Sequence, residues 1–434
     1  MSTGFPLTRR LGSLLRREEA EIYVRRRIAT ETVVTSAGRI DRTGHIESLG
    51  IRLITAENRL GTAWAVGFDP GTTLQATLQL ARECAFETGS LPYPDNTSPA
   101  GSNSWLPIED AQELIISYAQ RDLGQAIDAG LATTGSRGLV SRAWIDQEHI
   151  FSTLGIDASQ QTITLRVDGY AHPAPSDGRV QPGIAVHLVS WDPHIPVIGA
   201  LTEILARLTP QANGRPPAAA VTGPLFIAPP AVALISKLLS NNIVQNRLPA
   251  VQDSTSTWSL DDHAERTTID GGPAFDGEGY ILRNTTILSH GMATRRRFAA
   301  DAQGEGVTPS ASTSRSDSDA LPHLTIHRPY LNCRPGDSHP AQPVWIPDEQ
   351  GSVILQIPAP TCHIDRQTGA LYGEAIFGYI TDGVVGLVAE RPFRLSLPDY
   401  LNAATSVGLP WGISSGGPVL AQLLRGSPEH LVHG

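Results

Sequence analysis

The strongest constraint on the fold is a period-two alternation between residues 20 and 68. Ala20, Ile22 and Val24 fall on one side of an extended chain and Glu21, Tyr23 and Arg25 on the other, because successive strand side chains point to opposite faces. The pattern returns in Thr32-Val33-Val34-Thr35, in Leu49 to Ile54 and in Thr62 to Val66. Gly38, Gly44 and the Glu57-Asn58 pair before Gly61 read as turns between them. Strands joined so closely predict an antiparallel meander. A helix is predicted over 71–86, opened by Asp69-Pro70 and capped by Thr72 or Thr73, with Leu74, Leu78, Ala81 and Ala85 on one face.

A second helix fits 108–128, where Leu114, Ile115, Tyr118 and Leu123 are apolar. Strands follow at about 138–145, 148–156 and 160–170, then a helix over 195–208. The Pro- and Gly-containing break from Pro210 to Pro217 marks a domain boundary. Residues 1–210 therefore read as an N-terminal α+β domain and 218–434 as a mainly β domain. Pro229 and Pro230 start a helix, since proline in a first turn removes an N–H that has no partner anyway. Strands are predicted at 255–260, 279–289, 323–329, 351–358, 370–380 and 383–397. The expected fold class is α+β: an N-terminal antiparallel sheet with helices, then a mainly antiparallel C-terminal domain curled into a barrel-like core. Residues 301–322, rich in Ser, Ala, Asp and Gly, read as a mobile loop.

Composition narrows the function. The 43 acidic residues outnumber 33 basic ones, giving a net charge of -10. That disfavours nonspecific nucleic-acid binding, which depends on neutralising phosphates. No charge-free apolar run reaches the roughly 18 residues of a membrane span, and the N-terminus lacks an apolar signal core. Cys84, Cys333 and Cys362 are too sparse for a disulfide framework or a metal motif, which suits reduced thiols in a cytoplasm. Arg295-Arg296-Arg297 reads as a solvated strand end or loop.

An ordered series of segments resembles the TldD/PmbA family. In the first half it comprises Leu49-Gly-Ile-Arg-Leu-Ile-Thr, Gly61-Thr-Ala-Trp-Ala and the helix from Thr72. In the second half Pro273-Ala-Phe-Asp-Gly-Glu-Gly279 matches the family's Phe-Asp-x-Glu-Gly element, on Phe275, Asp276, Glu278 and Gly279. Asp365 to Gly369 then leads into Gly373 to Gly383, similar to the closing hairpin. Leu395 to Val407 resembles the terminal helix segment, with Pro398-Asp399 in place of the usual Gly-Asn.

The resemblance implies a task. Catalytic members place His-Glu-x-x-x-His on a helix, where two histidines bind Zn²⁺ and the glutamate acts as base on bound water. The corresponding helix in this chain has Ile235, Ser236 and Ser240 at those positions, and the late cysteine ligand is missing from Trp411 to Pro418. The pattern resembles the TldE-like, non-catalytic subunit type. The resemblance then implies no metal or cofactor in this chain, zinc in a TldD-like partner, and an extended peptide as substrate of the pair. Two other functions stay open: a stand-alone hydrolase or lyase on a peptide-derived small molecule, using Asp276, Glu278 or His263, and a peptide-binding module.

Other clusters have plainer readings. Asp261-Asp262-His263-Ala-Glu265 contains metal-ligand types, but consecutive residues cannot all face one point, so a solvated loop is expected. Asp276 and Glu278, two apart, either form an acid/base pair or brace a bend by accepting backbone N–H groups. Gly279 then serves close backbone approach or a positive φ. His323 and His327 on one strand face would lie about 13 Å apart, too far to share a metal. His263, Ser414 and Ser415 are candidates for a chamber lining.

Overall fold

A computed structural model describes residues 14 to 433 apart from 16–17, 36–37, 68–71, 95–105, 129–135, 172–181, 192–222, 246–255, 266–271, 291, 307–312, 316–320, 337–342, 382–383 and 415–417. The meander forms as read. β1 (Glu19–Thr35) and β2 (Gly38–Ile54) run antiparallel in unbroken register, and β3 (Arg59–Val66) pairs with the second half of β2. The β2–β3 turn uses Asn58 at φ 58°, a left-handed conformation that Asn tolerates. Gly44 departs from expectation: it lies inside β2 opposite Ala29.

Two helices cover one face of this sheet. In α1 (Thr72–Glu83), Leu74, Leu78 and Ala81 pack on Ala20, Ile22, Val24, Ile51 and Leu53. Gly61 permits that approach, since a Cβ there would sit 1.9 Å from the Ala81 carbonyl oxygen. In α2 (Ile108–Asp128), Ala111 and Ile115 pack on Ile28, Ala143, Ile145 and Leu165. β4 (Ser136–Ser152) and β5 (Asp157–Ala171) form one long hairpin where three shorter strands were predicted. Its tight turn ends at Gly155, φ 109°, and β4 pairs along the free side of β1. β6 (Ile184–Ser190) extends β5.

The second half contains β7 (Leu225–Ile227), α3 (Pro229–Val244), β8 (Ser259–Asp262), β9 (Thr285–Ser289), α4 (Ala299–Gly304), β10 (Thr313–Arg315), β11 (Pro322–Leu324), β12 (Pro329–Asn332), β13 (Gly351–Gln356), β14 (Ala370–Thr381), β15 (Val384–Ser396), α5 (Leu397–Ala403), β16 (Thr405–Ser414), β17 (Pro418–Gly426) and β18 (Leu431–His433). Hydrogen bonding runs β3-β2-β1-β4-β5-β6-β16-β17-β7-β13-β14-β15-β18, with β12, β8 and β9 branching from β17. The pairing is mostly antiparallel, but β7 lies parallel to β13.

The barrel-like C-terminal core expected from the sequence does not occur. Closure requires the last strand to bond back to the first with a consistent stagger. In this chain β18 pairs only with β15 among the described residues, and the ladder stays open. The space a barrel would enclose is filled by α3, which is apolar around most of its surface. Val232, Ile235 and Leu239 join one large core with Leu225 to Ile227, Ile354, Leu423 and Leu424.

Two further readings are corrected. Arg296 is buried, with its guanidinium on Asp262 at 2.9 Å. Within 301–322, read as a loop, α4 enters the span and β10 pairs with β11. The anchors of β10 are polar, and so they escaped an apolar count. The boundary at 210–217 and the helix at 195–208 lie outside the described residues. No described helix is long and apolar enough to cross a membrane.

Candidate functional site

With both helices on the even-numbered face of β1, the odd face is left to polar residues. Register fixes what they meet, because residues directly opposite in antiparallel strands share a face. Arg25 lies beside Glu148, which lies beside Gln160. Arg27 lies beside Asp146 and then Thr162. Ala29 lies beside Trp144 and then Thr164, and Glu31 beside Arg142 and then Arg166. Strands β1, β4 and β5 thus build a polar floor. Asp146 accepts from Arg27 Nε at 2.8 Å and Arg25 Nε at 3.1 Å. Burial pushes its pKa up, but the two arginines outweigh that and hold it below the usual range. Arg27 lies over the Trp144 ring at 5.4 Å.

Above the floor sits the bend at 273–281. Asp276 Oδ1 accepts from the backbone N–H groups of Glu278 and Tyr280, each at 2.9 Å. Its Oδ2 accepts from the Thr313 hydroxyl at 2.7 Å and the Thr313 N–H at 3.2 Å. Glu278 meets Arg52 Nη1 at 3.0 Å through one oxygen, and the Ala299 N–H at 2.7 Å through the other. The bracing reading of these carboxylates is therefore the one the geometry fits. The two residues occupy a turn, with Phe275 bridged to Ile281, and not a strand. Gly279 has φ 88°, and a Cβ there would meet Ile156 Cγ2 at 2.8 Å.

Burial and the neighbouring charge of Glu278 push the Asp276 carboxyl up to about 7, against the pull of its hydrogen bonds. A buried ion network ties the bend to the sheet. Arg52 grips Glu21 through Nε at 3.0 Å and Nη2 at 2.6 Å, while Arg315 of β10 reaches the same Glu21 and the Gly277 carbonyl. Floor, bend and β10 line a half-open cavity of about 360 Å³.

The other predicted positions lie elsewhere. Ile235, Ser236 and Ser240 are buried in α3. The Ser236 hydroxyl donates to the Val232 carbonyl at 2.9 Å and that of Ser240 to the Ser236 carbonyl at 2.7 Å. An isoleucine and two serines bonded into their own helix do not fit a zinc site. Among the described residues no group of three or more His, Cys, Asp or Glu side chains is placed to hold a metal ion. His263 packs edge-on to Tyr330 at 4.8 Å. Its neighbour Asp262 is fully buried, accepting from Arg296 and from the His327 and Arg328 N–H groups, so the expected solvated loop is in part a core ion pair. His323 bonds the Ser314 hydroxyl, whereas His327 lines the cavity. Ser414 ends β16, and Ser415 lies outside the described residues.

Sequence reading missed Arg52, Arg315 and Thr313, whose partners are far away along the chain. It also missed the floor, although a signal existed. Trp144, Asp146 and Glu148 alternate in β4, and Gln160, Thr162, Thr164 and Arg166 in β5, with the same period as Glu21, Tyr23, Arg25 and Arg27.

No family model and no curated protein matches the sequence. Solved structures do match. TldE from Thermococcus kodakarensis superposes with a TM-score of 0.73 at 15% identity, over 98% of this chain and 99% of that one. A Thermotoga maritima protein described as a modulator of DNA gyrase gives 0.67 at 14% identity, over 98% and 99%. A Bacteroides thetaiotaomicron protein of the same description gives 0.58 at 12%, over 94% and 93%. Over nearly its whole length, this chain has the fold of TldE and of these gyrase-modulator proteins.

Proposed function

We propose that this chain is the non-catalytic, substrate-guiding subunit of a TldD/TldE-type zinc metallopeptidase pair acting on peptides. The observation that supports this reading best is α3. The helix that resembles the family's zinc helix presents Ile235, Ser236 and Ser240, packed into the core with their hydroxyls satisfied internally. Ligation and general-base chemistry need imidazole and carboxylate side chains at such positions. The likeness to TldE over the full chain supports the same assignment. Asp276 and Glu278, on which a stand-alone hydrolase would rely, have all four oxygens engaged in holding the bend.

Zinc and the hydrolytic step then belong to a TldD-like partner, and this chain supplies wall and orientation. The test is metal analysis and peptide hydrolysis by the purified chain, alone and mixed with a TldD-like chain. Zinc near one per pair, with hydrolysis only in the mixture, is the expected result. Stoichiometric zinc or turnover in this chain alone would overturn the assignment.

A further inference from the structure

One row of the polar floor is short of bulk at three of its four positions. Gly44, Ala29, Trp144 and Thr164 lie side by side across β2, β1, β4 and β5. The row before it carries Arg27 and Asp146; the row after it carries Arg42, Glu31, Arg142 and Arg166. Same-face rows are about 7 Å apart and strands about 4.8 Å apart. Gly44, Ala29 and Thr164 therefore leave a trough on either side of Trp144, in a row that spans four strands and roughly 15 Å. That length suits about four residues of extended peptide. Arg27, Trp144 and Arg166 line both that half-open cavity and an adjoining groove of about 540 Å³ that contains Gly44 and Arg42.

Donors outnumber acceptors along this trough. Among the described residues, Arg166 engages Asp168 through Nε alone, at 2.7 Å. The buried Thr162 and Thr164 show no side-chain hydrogen-bond partner among the described residues. The Arg42 side chain is 71% exposed, with its guanidinium 3.6 Å from Glu31. The carboxylates are already shared: Asp146 between Arg25 and Arg27, Asp168 among Arg142, Arg166 and His187, and Glu31 between Arg142 and the more distant Arg42. We propose that the trough binds an acidic peptide segment lying across the strands, with a side-chain carboxylate on the free edge of Arg166 and its backbone alongside Trp144. The flat guanidinium fork matches a carboxylate. This deepens the substrate-guiding reading, and on that reading it specifies acidic peptides as the substrate class.

The test uses the full chain without any partner, so loss of partner activity and loss of this site are separable. Acetyl-Ala-Glu-Glu-Ala-amide is titrated by calorimetry against its Gln-Gln counterpart and against glutarate. The acidic peptide should bind about tenfold or more tightly than either, as charge-assisted bonds do relative to neutral ones. Arg166→Gln and, independently, Trp144→Leu should each weaken it about tenfold while leaving the circular dichroism spectrum unchanged. Arg166→Lys should recover only part of the loss. Equal binding of the acidic and amide peptides, or wild-type affinity in both variants, would overturn the proposal. So would glutarate binding as tightly as the peptide, or no saturable binding by about 10 mM, the weak end for so many donors.

Discussion

Arg52→Met is the most informative perturbation of the lock between sheet and bend. The Arg52 side chain is 9% exposed and makes three contacts, at 3.0 and 2.6 Å to Glu21 and 3.0 Å to Glu278. Methionine preserves most of the packing volume and removes the charge. Glu21 keeps Arg315, but Glu278 is left fully buried with only the Ala299 N–H. Breaking a buried pair by removing one partner costs about 3–5 kcal/mol, because the other charge stays desolvated. That is a large part of a typical total stability of about 5–15 kcal/mol. Urea unfolding followed by tryptophan fluorescence, with linear extrapolation, measures it. Arg59→Ala, at an exposed arginine 3.9 Å from Glu57, is the control and should change stability by about 0–1 kcal/mol.

The pH response gives a second readout. Burial opposes ionisation of Glu21, but Arg52 and Arg315 outweigh it and its pKa is lowered. Its contribution is present above the unfolded value of about 4.3 and is lost as pH falls through the folded value. Arg52→Met should shrink that acid-side loss. A shift below 1 kcal/mol, with an unchanged acid limb, would refute the claim that this network holds the bend to the sheet.

Asp276, pushed up to about 7, has the opposite sign. The folded chain keeps its proton between about pH 4 and 7 after the unfolded chain has lost it, so this contribution declines as pH rises through 7. Asp276→Asn should flatten stability between pH 5 and 8 in denaturant titrations. In α3, Ile235→Ala should cost about 2–5 kcal/mol as a core truncation, whereas Ser236→Ala should cost no more than about 1 kcal/mol, its hydroxyl serving only its own helix. Thermal unfolding of the pair separates the two. Gly279→Ala should cost about 1–3 kcal/mol, since φ 88° and the contact with Ile156 both resist a Cβ; the midpoint in urea reports it.

What could be read from the sequence was what is local. Alternation found the meander, spacing found α1 and α2, and the paired prolines found the start of α3. The bracing role of Asp276 was legible because the N–H groups that donate to it lie two and four residues away. Arg315 was not, since its partner Glu21 is 294 residues away and no periodicity encodes that separation. The open ladder was equally hidden. β7 has three residues and joins β13 and β17 from far along the chain, and so short a strand leaves no alternation to read. Asp262 looked solvated because its cationic partner belongs to a triplet of arginines that reads as surface.

That separation between Glu21 and Arg315 has a consequence in time. A chain emerging at about 5–20 residues per second exposes Glu21 roughly 15–60 s before Arg315 exists. Arg52, only 31 residues on, arrives within seconds, so half of the Glu21 site can assemble while the rest of the chain is unmade. Until the bend at 273–281 is made the polar floor has no roof, and β10 is the fastening that arrives later still. A stalled or truncated product ending before the bend at 273–281 would display that floor to solvent, a state that a chaperone or protease could tell from the finished protein by surface alone.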